Sequence, residues 1–240
     1  MPMSNEQAHE IARKGPGRVA YFFVRLLLMP ILRVVFAMRS SGTEHVPADG
    51  AVVIAPNHKS FWDAFFIAAV LRRRIYFMGK AELFEGWAGR LLIALGGFPV
   101  RRGSSDAEAI ATALAILGRG DALALFPEGT RVSDPDELGN PRRGAARLAI
   151  EGHAPIVPAA ITGTERRRHH LPRRVQVSFA EPIPVTDLQA TPEDAGRLIG
   201  EAVWPVVTED YRTLKARPGA IAAGVAAIGL GYAVHRWRRR

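Results

Sequence analysis

Apolar and polar positions alternate along this chain in blocks of two lengths. Short apolar runs bounded by turn residues recur as AVVIA (51–55), RIYFM (74–78), ALALF (122–126), IVPAAI (156–161) and VQVSF (175–179). Each is the right length for a strand buried on both faces. Between them lie longer stretches with helical spacing, at 61–73 with Ser60 as a candidate cap, at 83–95 and at 142–151. Ser105 and Glu108 form a capping box that opens a helix toward Leu117. Thr191, followed by Pro192, opens another that runs toward Tyr211. Alternation of this kind predicts an α/β fold: a single-layer mixed, partly parallel sheet flanked by helices. No internal repeat is present.

Two segments depart from that rhythm. Residues 1–18 are polar, with breakers at Gly15, Pro16 and Gly17, and hold no apolar run with a cleavage site, so no secretory signal peptide is expected. Residues 19–38, VAYFFVRLLLMPILRVVFAM, are mostly apolar. Arg25 and Arg33 make a bilayer span expensive and Pro30 should kink a helix, so the segment predicts an amphipathic helix in the membrane interface. Its alternative is a core helix with solvated arginines. Near the other end, residues 218–234 are uncharged and rich in Ala and Gly, followed by HRWRRR. A helix of that length reaches about 26 Å, short of a hydrocarbon core of about 30 Å. A single span would also carry the terminal arginines away from the cytoplasm, against the usual charge bias. An apolar C-terminal helix associated with the membrane or re-entrant in it is therefore expected, with a full span and a packed helix as its alternatives. The predicted organisation is a start and interface segment at 1–39, an α/β domain at 40–215 and a basic-ended tail at 216–240.

Composition narrows the chemistry. The 240 residues are 48% hydrophobic and contain no cysteine, which excludes disulfides, thiolate metal sites, iron–sulfur clusters and a Cys nucleophile. The formal net charge is +9, and the pI is near 10.7. Such a surface attracts anions, whether nucleic acid, acidic lipid or phosphorylated small molecules.

The candidate chemistry sits where strands end. Asn57-His58-Lys59-Ser60-Phe61-Trp62-Asp63 follows the first buried run. A loop-to-helix turn would bring Asp63 to one imidazole nitrogen of His58, fix the tautomer and leave the other nitrogen as a general base. The bland alternative is a surface histidine beside an acid that favours a helix N-terminus. Phe126-Pro127-Glu128-Gly129-Thr130-Arg131 ends another run, with a turn forced by Pro127 and Gly129, a hydroxyl on Thr130 and a planar fork on Arg131 suited to phosphate. Gly97-Phe98-Pro99-Val100-Arg101-Arg102 and Lys80-Ala81-Glu82-Leu83 end two more. Four such loops could converge on one rim of a sheet.

In these blocks the sequence resembles the glycerolipid acyltransferases of the 1-acylglycerol-3-phosphate type. NHKSFWD, FPVRRG, FPEGTR and IVPAAI stand in the family's order between Asn57 and Ile161. The resemblance implies His58 as the base that deprotonates an acceptor hydroxyl for attack on an acyl thioester, with Asp63 as its orienting partner. It implies Glu128, Gly129 and Arg131 as acceptor-binding positions, joined by Arg102 from the second block and by Lys80, and Thr130 is expected among the substrate contacts for its hydroxyl. Arg101 occupies a position where the family varies, and Pro158 matches a proline of structural or donor-access role. The implied partners are a lysophospholipid acceptor, acyl-CoA or acyl carrier protein as donor, and an anionic membrane surface at the cytoplasmic face. No metal or resident cofactor is implied, because the thioester is a substrate. The competing classes have weaker signals: a hydrolase lacks its G-x-S-x-G elbow. A nucleic-acid binder would rest on dispersed arginine runs (72–74, 166–168, 236 and 238–240) that match no docking motif.

Overall fold

The computed structural model describes residues 4–15, 18–101, 106–165 and 174–216. Among them, seven strands form one sheet: β1 (Arg39–Ser41), β2 (Val52–Pro56), β3 (Ile75–Lys80), β4 (Gly97–Val100), β5 (Ala122–Ala124), β6 (Ile156–Thr162) and β7 (Gln176–Phe179). Their spatial order is β1-β7-β6-β2-β5-β3-β4. The five strands from β6 to β4 run parallel, and the β7–β6 pairing is antiparallel, so β1 and β7 run against the rest. The sheet is thus mixed and mostly parallel.

The apolar runs become central strands because both faces are covered. All five positions of β2 are buried. Val52 and Ile54 point into one core, packed by Phe65, Phe66 and Ile67 of helix α3 (Asp63–Val70). Val53 and Ala55 point into the other, packed by Ala113 and Ile116 of α5 (Ala107–Gly118) and by Ala146 and Ala149 of α6 (Gly144–Glu151). This two-residue alternation is the pleat, and here both of its faces meet helices. The last helical stretch runs as α7 (Pro192–Arg197), a π-helical segment (Leu198–Val203) and α8 (Trp204–Ala216). Thr191 caps its start through the Asp194 N–H, as its sequence position predicts.

Several expectations need correction. Residues 4–14 are not featureless: α1 (Asn5–Lys14) begins with a reciprocal capping box between Ser4 and Gln7. It packs on α5 through the buried His9, whose Nδ1 lies 3.0 Å from Thr112 Oγ1. β1 is too short and polar to show as an apolar run. α3 starts at Asp63 rather than residue 61, and Ser60 does not cap it. The 83–95 stretch divides into a 3₁₀ turn (Ala81–Phe84) and α4 (Gly86–Ala94), parted at Gly86, whose φ of 67° is left-handed. Asp106, not Ser105, caps α5 by accepting the Ala109 N–H; Ser105 itself lies outside the described residues. So do Arg102, the 166–168 arginine run and the whole apolar tail from 217 onward.

The 19–38 segment forms α2 (Arg18–Val35), with Pro30 inside it. Both of its arginines bond to the protein, although Arg33 stays exposed. Arg25 donates to Tyr21 Oη and to the carbonyls of Ala68 and Leu71, and Arg33 Nε donates to Ala69 O at 2.7 Å. Both cations therefore meet the carbonyl end of α3, where a positive charge is favoured. Met29 and Leu32 are buried against the core, while Phe22, Phe23, Leu26, Leu27, Ile31, Val34 and Val35 stay exposed. No helix among the described residues is long and apolar enough to cross a membrane.

Candidate active site

The parallel strand order decides which loops meet. β2, β5, β3 and β4 are consecutive neighbours with the same direction, so the loops that follow them all leave the same edge of the sheet. This places His58, the Phe126–Arg131 stretch, Lys80 and Arg101 along one rim. β2 and β5 are adjacent, and their loops touch.

His58 begins that rim. Its Nδ1 lies 3.0 Å from Asp63 Oδ2. The same carboxylate oxygen accepts the N–H groups of Lys59 and Ser60, both at 2.7 Å. Asp63 is fully buried, and its other oxygen, Oδ1, is buried with no hydrogen-bond partner among the described residues. A carboxylate held this way accepts a hydrogen bond from Nδ1–H, which keeps the proton on Nδ1 and leaves the Nε2 lone pair available. The imidazole also stacks on Phe126, with ring centroids 3.9 Å apart and planes 24° from parallel. Orientation is thus imposed from a hydrogen bond on one side and a ring face on another.

Asn57 fastens the base of this loop. It is fully buried, donates its amide to Ile161 O at 3.1 Å and accepts the Ile161 N–H at 2.8 Å. It thereby locks the end of β2 to β6. Sequence reasoning gave Asn57 no role; its position immediately before His58 at a strand end was the available signal.

The second loop is braced to the first. Glu128 is 3% exposed. Its Oε2 accepts the His58 N–H at 2.6 Å, and its Oε1 accepts the Gly139 N–H at 2.7 Å. Burial pushes its pKa above the ordinary carboxylate value, while those two N–H donors pull it back. Val132 N–H returns a bond to His58 O at 3.0 Å. Gly129, at φ 67°, makes the turn back toward Phe126 O. That left-handed backbone favours glycine.

Thr130 and Arg131 project from this turn and are exposed. Lys80 is exposed as well, and its ammonium lies 3.0 Å from Glu82. It stands opposite Val100 in the β3–β4 register, beside the start of the second-block arginines. Arg101 donates its backbone N–H to Asp106 Oδ2 at 2.8 Å. The rim brings His58, Asp63, Glu128 and Gly129 into direct contact or covalent neighbourhood. It sets Thr130, Arg131 and Lys80 on the solvent side of that cluster. Pro158 lies in β6, paired with Ala55 of β2, away from the exposed rim.

A cleft of about 1290 Å³ lies elsewhere, between α2, the 43–49 turn and residues 69–73. Asp49 and Arg73 precede β2 and β3, so this cleft belongs to the opposite edge of the sheet from His58. A half-buried imidazole held by a buried carboxylate, beside exposed cationic side chains, can take a proton from a bound hydroxyl and hold an anion near it.

The acyltransferase family model matches residues 37–162, which contain all of these loops. A 1-acyl-sn-glycerol-3-phosphate acyltransferase of Bacillus subtilis is 32% identical over 168 residues, 67% of this chain and 83% of that protein. The human 1-acyl-sn-glycerol-3-phosphate acyltransferase alpha is 30% identical over 188 residues, which are 73% of this chain and 64% of the human protein. The crystal structure of the 1-acyl-sn-glycerophosphate (LPA) acyltransferase PlsC from Thermotoga maritima has the same fold, with a TM-score of 0.64 at 19% identity. That match covers 89% of this chain and 98% of the other.

Proposed function

The chain belongs to the acyltransferase family, and from that premise we propose that it moves an acyl chain from a thioester to the free hydroxyl of 1-acylglycerol 3-phosphate, giving phosphatidic acid for phospholipid synthesis. The observation that carries the reading is the His58–Asp63 contact at 3.0 Å, set on the same rim as Arg131.

In this reading, His58 Nε2 accepts the acceptor hydroxyl proton as the oxygen attacks the thioester carbonyl carbon. The C–S bond then breaks, and the thiolate leaves with the proton from the imidazolium. Asp63 holds Nδ1–H and stabilises the imidazolium. A positioned base of this kind contributes about 10²–10⁴-fold. Arg131 holds the acceptor phosphate, with Lys80 and Arg102 adding positive charge. Holding the phosphate aligns the hydroxyl with His58, which is catalysis by positioning. Thr130 adds a hydroxyl donor. Glu128 accepts the His58 and Gly139 N–H groups and so braces the two loops that carry the acceptor-binding positions, its own place among them included. The donor is acyl-CoA or acyl carrier protein, and no resident metal or cofactor is called for.

The enzyme works at a membrane surface in the same reading. The exposed apolar side chains of α2 lie in the interface of an anionic cytoplasmic leaflet, and the Ala/Gly-rich tail lies against it. The 40–215 segment acts as the catalytic unit.

The test uses purified protein with a panel of lysolipids and labelled acyl-CoA or acyl carrier protein, followed by product identification. Phosphatidic acid from 1-acylglycerol 3-phosphate is expected. Preferential acylation of a lysolipid without a phosphomonoester would overturn the acceptor assignment. Free fatty acid formed without any acceptor would point to a hydrolase instead.

A further inference from the structure

Lys59, the residue after the proposed base, is 6% exposed and has no part in the chemistry described above. Burying an ammonium is costly unless its three donors are satisfied. Lys59 Nζ donates to Asp134 O at 2.6 Å and to Glu137 O, and it sits 5.3 Å from the centre of the Tyr211 ring. No carboxylate pairs with it among the described residues. Burial holds its pKa below the ordinary lysine value, with Glu128 and Glu165 opposing that shift.

The carbonyls it reaches belong to a segment held from a second direction. Tyr211 Oη lies 2.6 Å from Pro135 O and 3.1 Å from Glu165 Oε1, sharing one phenolic proton between them. Lys215 Nζ donates to Pro135 O and pairs with Asp136 Oδ1. Residues 134–137 are therefore held by one side chain from the His58 loop and two from α8. The segment starts at Arg131 and Val132 and returns to the site at Gly139, where the N–H meets Glu128. Its two ends are fixed by the site, and its middle is fixed by Lys59, Tyr211 and Lys215.

We propose that Lys59 is a positioning residue that preorganises the 131–139 loop for acceptor binding, acting together with Tyr211 and Lys215 from α8. The inference rests on the reading of Arg131 as an acceptor contact. A loop ordered in advance binds without losing its conformational freedom at that moment. Releasing its middle therefore weakens acceptor binding more than it slows the chemistry at His58.

The experiment compares Lys59→Met, Lys59→Arg and Tyr211→Phe in the full chain, by acyl-transfer kinetics and by amide hydrogen exchange over 131–139. Lys59→Met should raise acceptor KM about tenfold, with kcat within about threefold, and speed exchange in the loop by about tenfold or more. Lys59→Arg, which keeps a cation, should recover most of both. Tyr211→Phe, which keeps the ring, should move both readouts the same way by less and covers the case in which Lys59→Met does not fold. Unchanged loop exchange in folded Lys59→Met overturns the proposal, as does a fall in kcat with KM unaltered. An unchanged acceptor KM in Arg131→Ala would sink the phosphate reading itself. Loop exchange in Lys59→Met would still decide whether the latch exists.

Discussion

Glu128 accepts the backbone N–H of His58 at 2.6 Å, joining the two strand-end loops at the residue proposed as the base. The two residues are 70 positions apart in sequence. The contact exists because β2 and β5 are adjacent parallel strands, so the chains that leave their ends emerge side by side. Glu128 thus sets the position of the His58 main chain, while Asp63 sets the ring.

Glu128→Gln should destabilise the fold. The amide replaces one of two acceptor oxygens with a donor that faces an N–H, leaving a buried donor unsatisfied. The expected cost is about 1–3 kcal/mol. In a chain this size that corresponds to a melting temperature lower by about 2–12 °C. Thermal unfolding checks it, and an unchanged melting temperature would show that the brace is dispensable.

His58→Ala and Arg131→Ala should fail differently. Loss of His58 should cut kcat by about 10²–10⁴ with little change in acceptor KM. Asp63→Ala or Asp63→Asn should act through the same pair, so a double His58→Ala, Asp63→Ala variant should be little worse than His58→Ala alone. Arg131→Ala should raise acceptor KM by about 10–100-fold through loss of a charge-assisted contact. Steady-state kinetics on variants with normal melting curves separates the two. Near-normal turnover in folded His58→Ala would remove the general-base role.

Acid should loosen the packing of α1 on α5. Burial holds the His9 pKa below 6.5, opposed by Glu108 and Asp106 and reinforced by Arg13 and Arg101. Between that lowered value and about 6.5, the unfolded chain binds more protons than the folded one. Stability therefore rises with pH across this window and is lost as pH falls through it. Wild type should lose more melting temperature between pH 7.5 and 5.5 than His9→Gln does. Parallel pH profiles for the two proteins would show that His9 does not titrate on unfolding.

The outer face of α2 should govern membrane partitioning. Leu27 is 66% exposed and Val34 80% exposed. Burying either in a bilayer interface contributes on the order of 1.5–3 kcal/mol. Leu27→Ser and Val34→Ser should each reduce binding to anionic phospholipid vesicles by about tenfold or more, with the fold intact. Deleting 218–240 should reduce it less, because its Ala and Gly side chains bury little area. Vesicle sedimentation measures all three. If only the tail deletion releases the protein, the tail is the anchor.

The apolar runs were enough to locate β2, β3, β5 and β6, because a central parallel strand must be hydrophobic on both faces and so leaves a continuous signal, and β7, antiparallel to β6 and buried throughout, was found the same way. The block at 126–131 was equally legible, since Pro127 and Gly129 act within a few residues, as does the cap of Thr191 on α7. Short-range rules could not find β1, whose three polar residues depend on pairing with β7 far along the chain. They misjudged where α3 and α4 begin, because Asp63 spends its carboxylate on His58, Lys59 and Ser60, and because a left-handed Gly86 resets the backbone.

Local sequence determined which residue types stand at each strand end. Tertiary structure decided how those residues are used. The strand order brought Glu128 to His58 and made it a brace between the two loops. The packing of α8 carried Tyr211 and Lys215 to the loop that Lys59 grips from the other side. The end of α3 gave Arg25 and Arg33 carbonyl partners that an apolar stretch with two interrupting charges did not foretell. Each of these contacts joins residues more than 30 positions apart. Such pairings arise only when the sheet assembles, because hydrogen-bond geometry acts over about 3 Å while sequence patterns report only near neighbours.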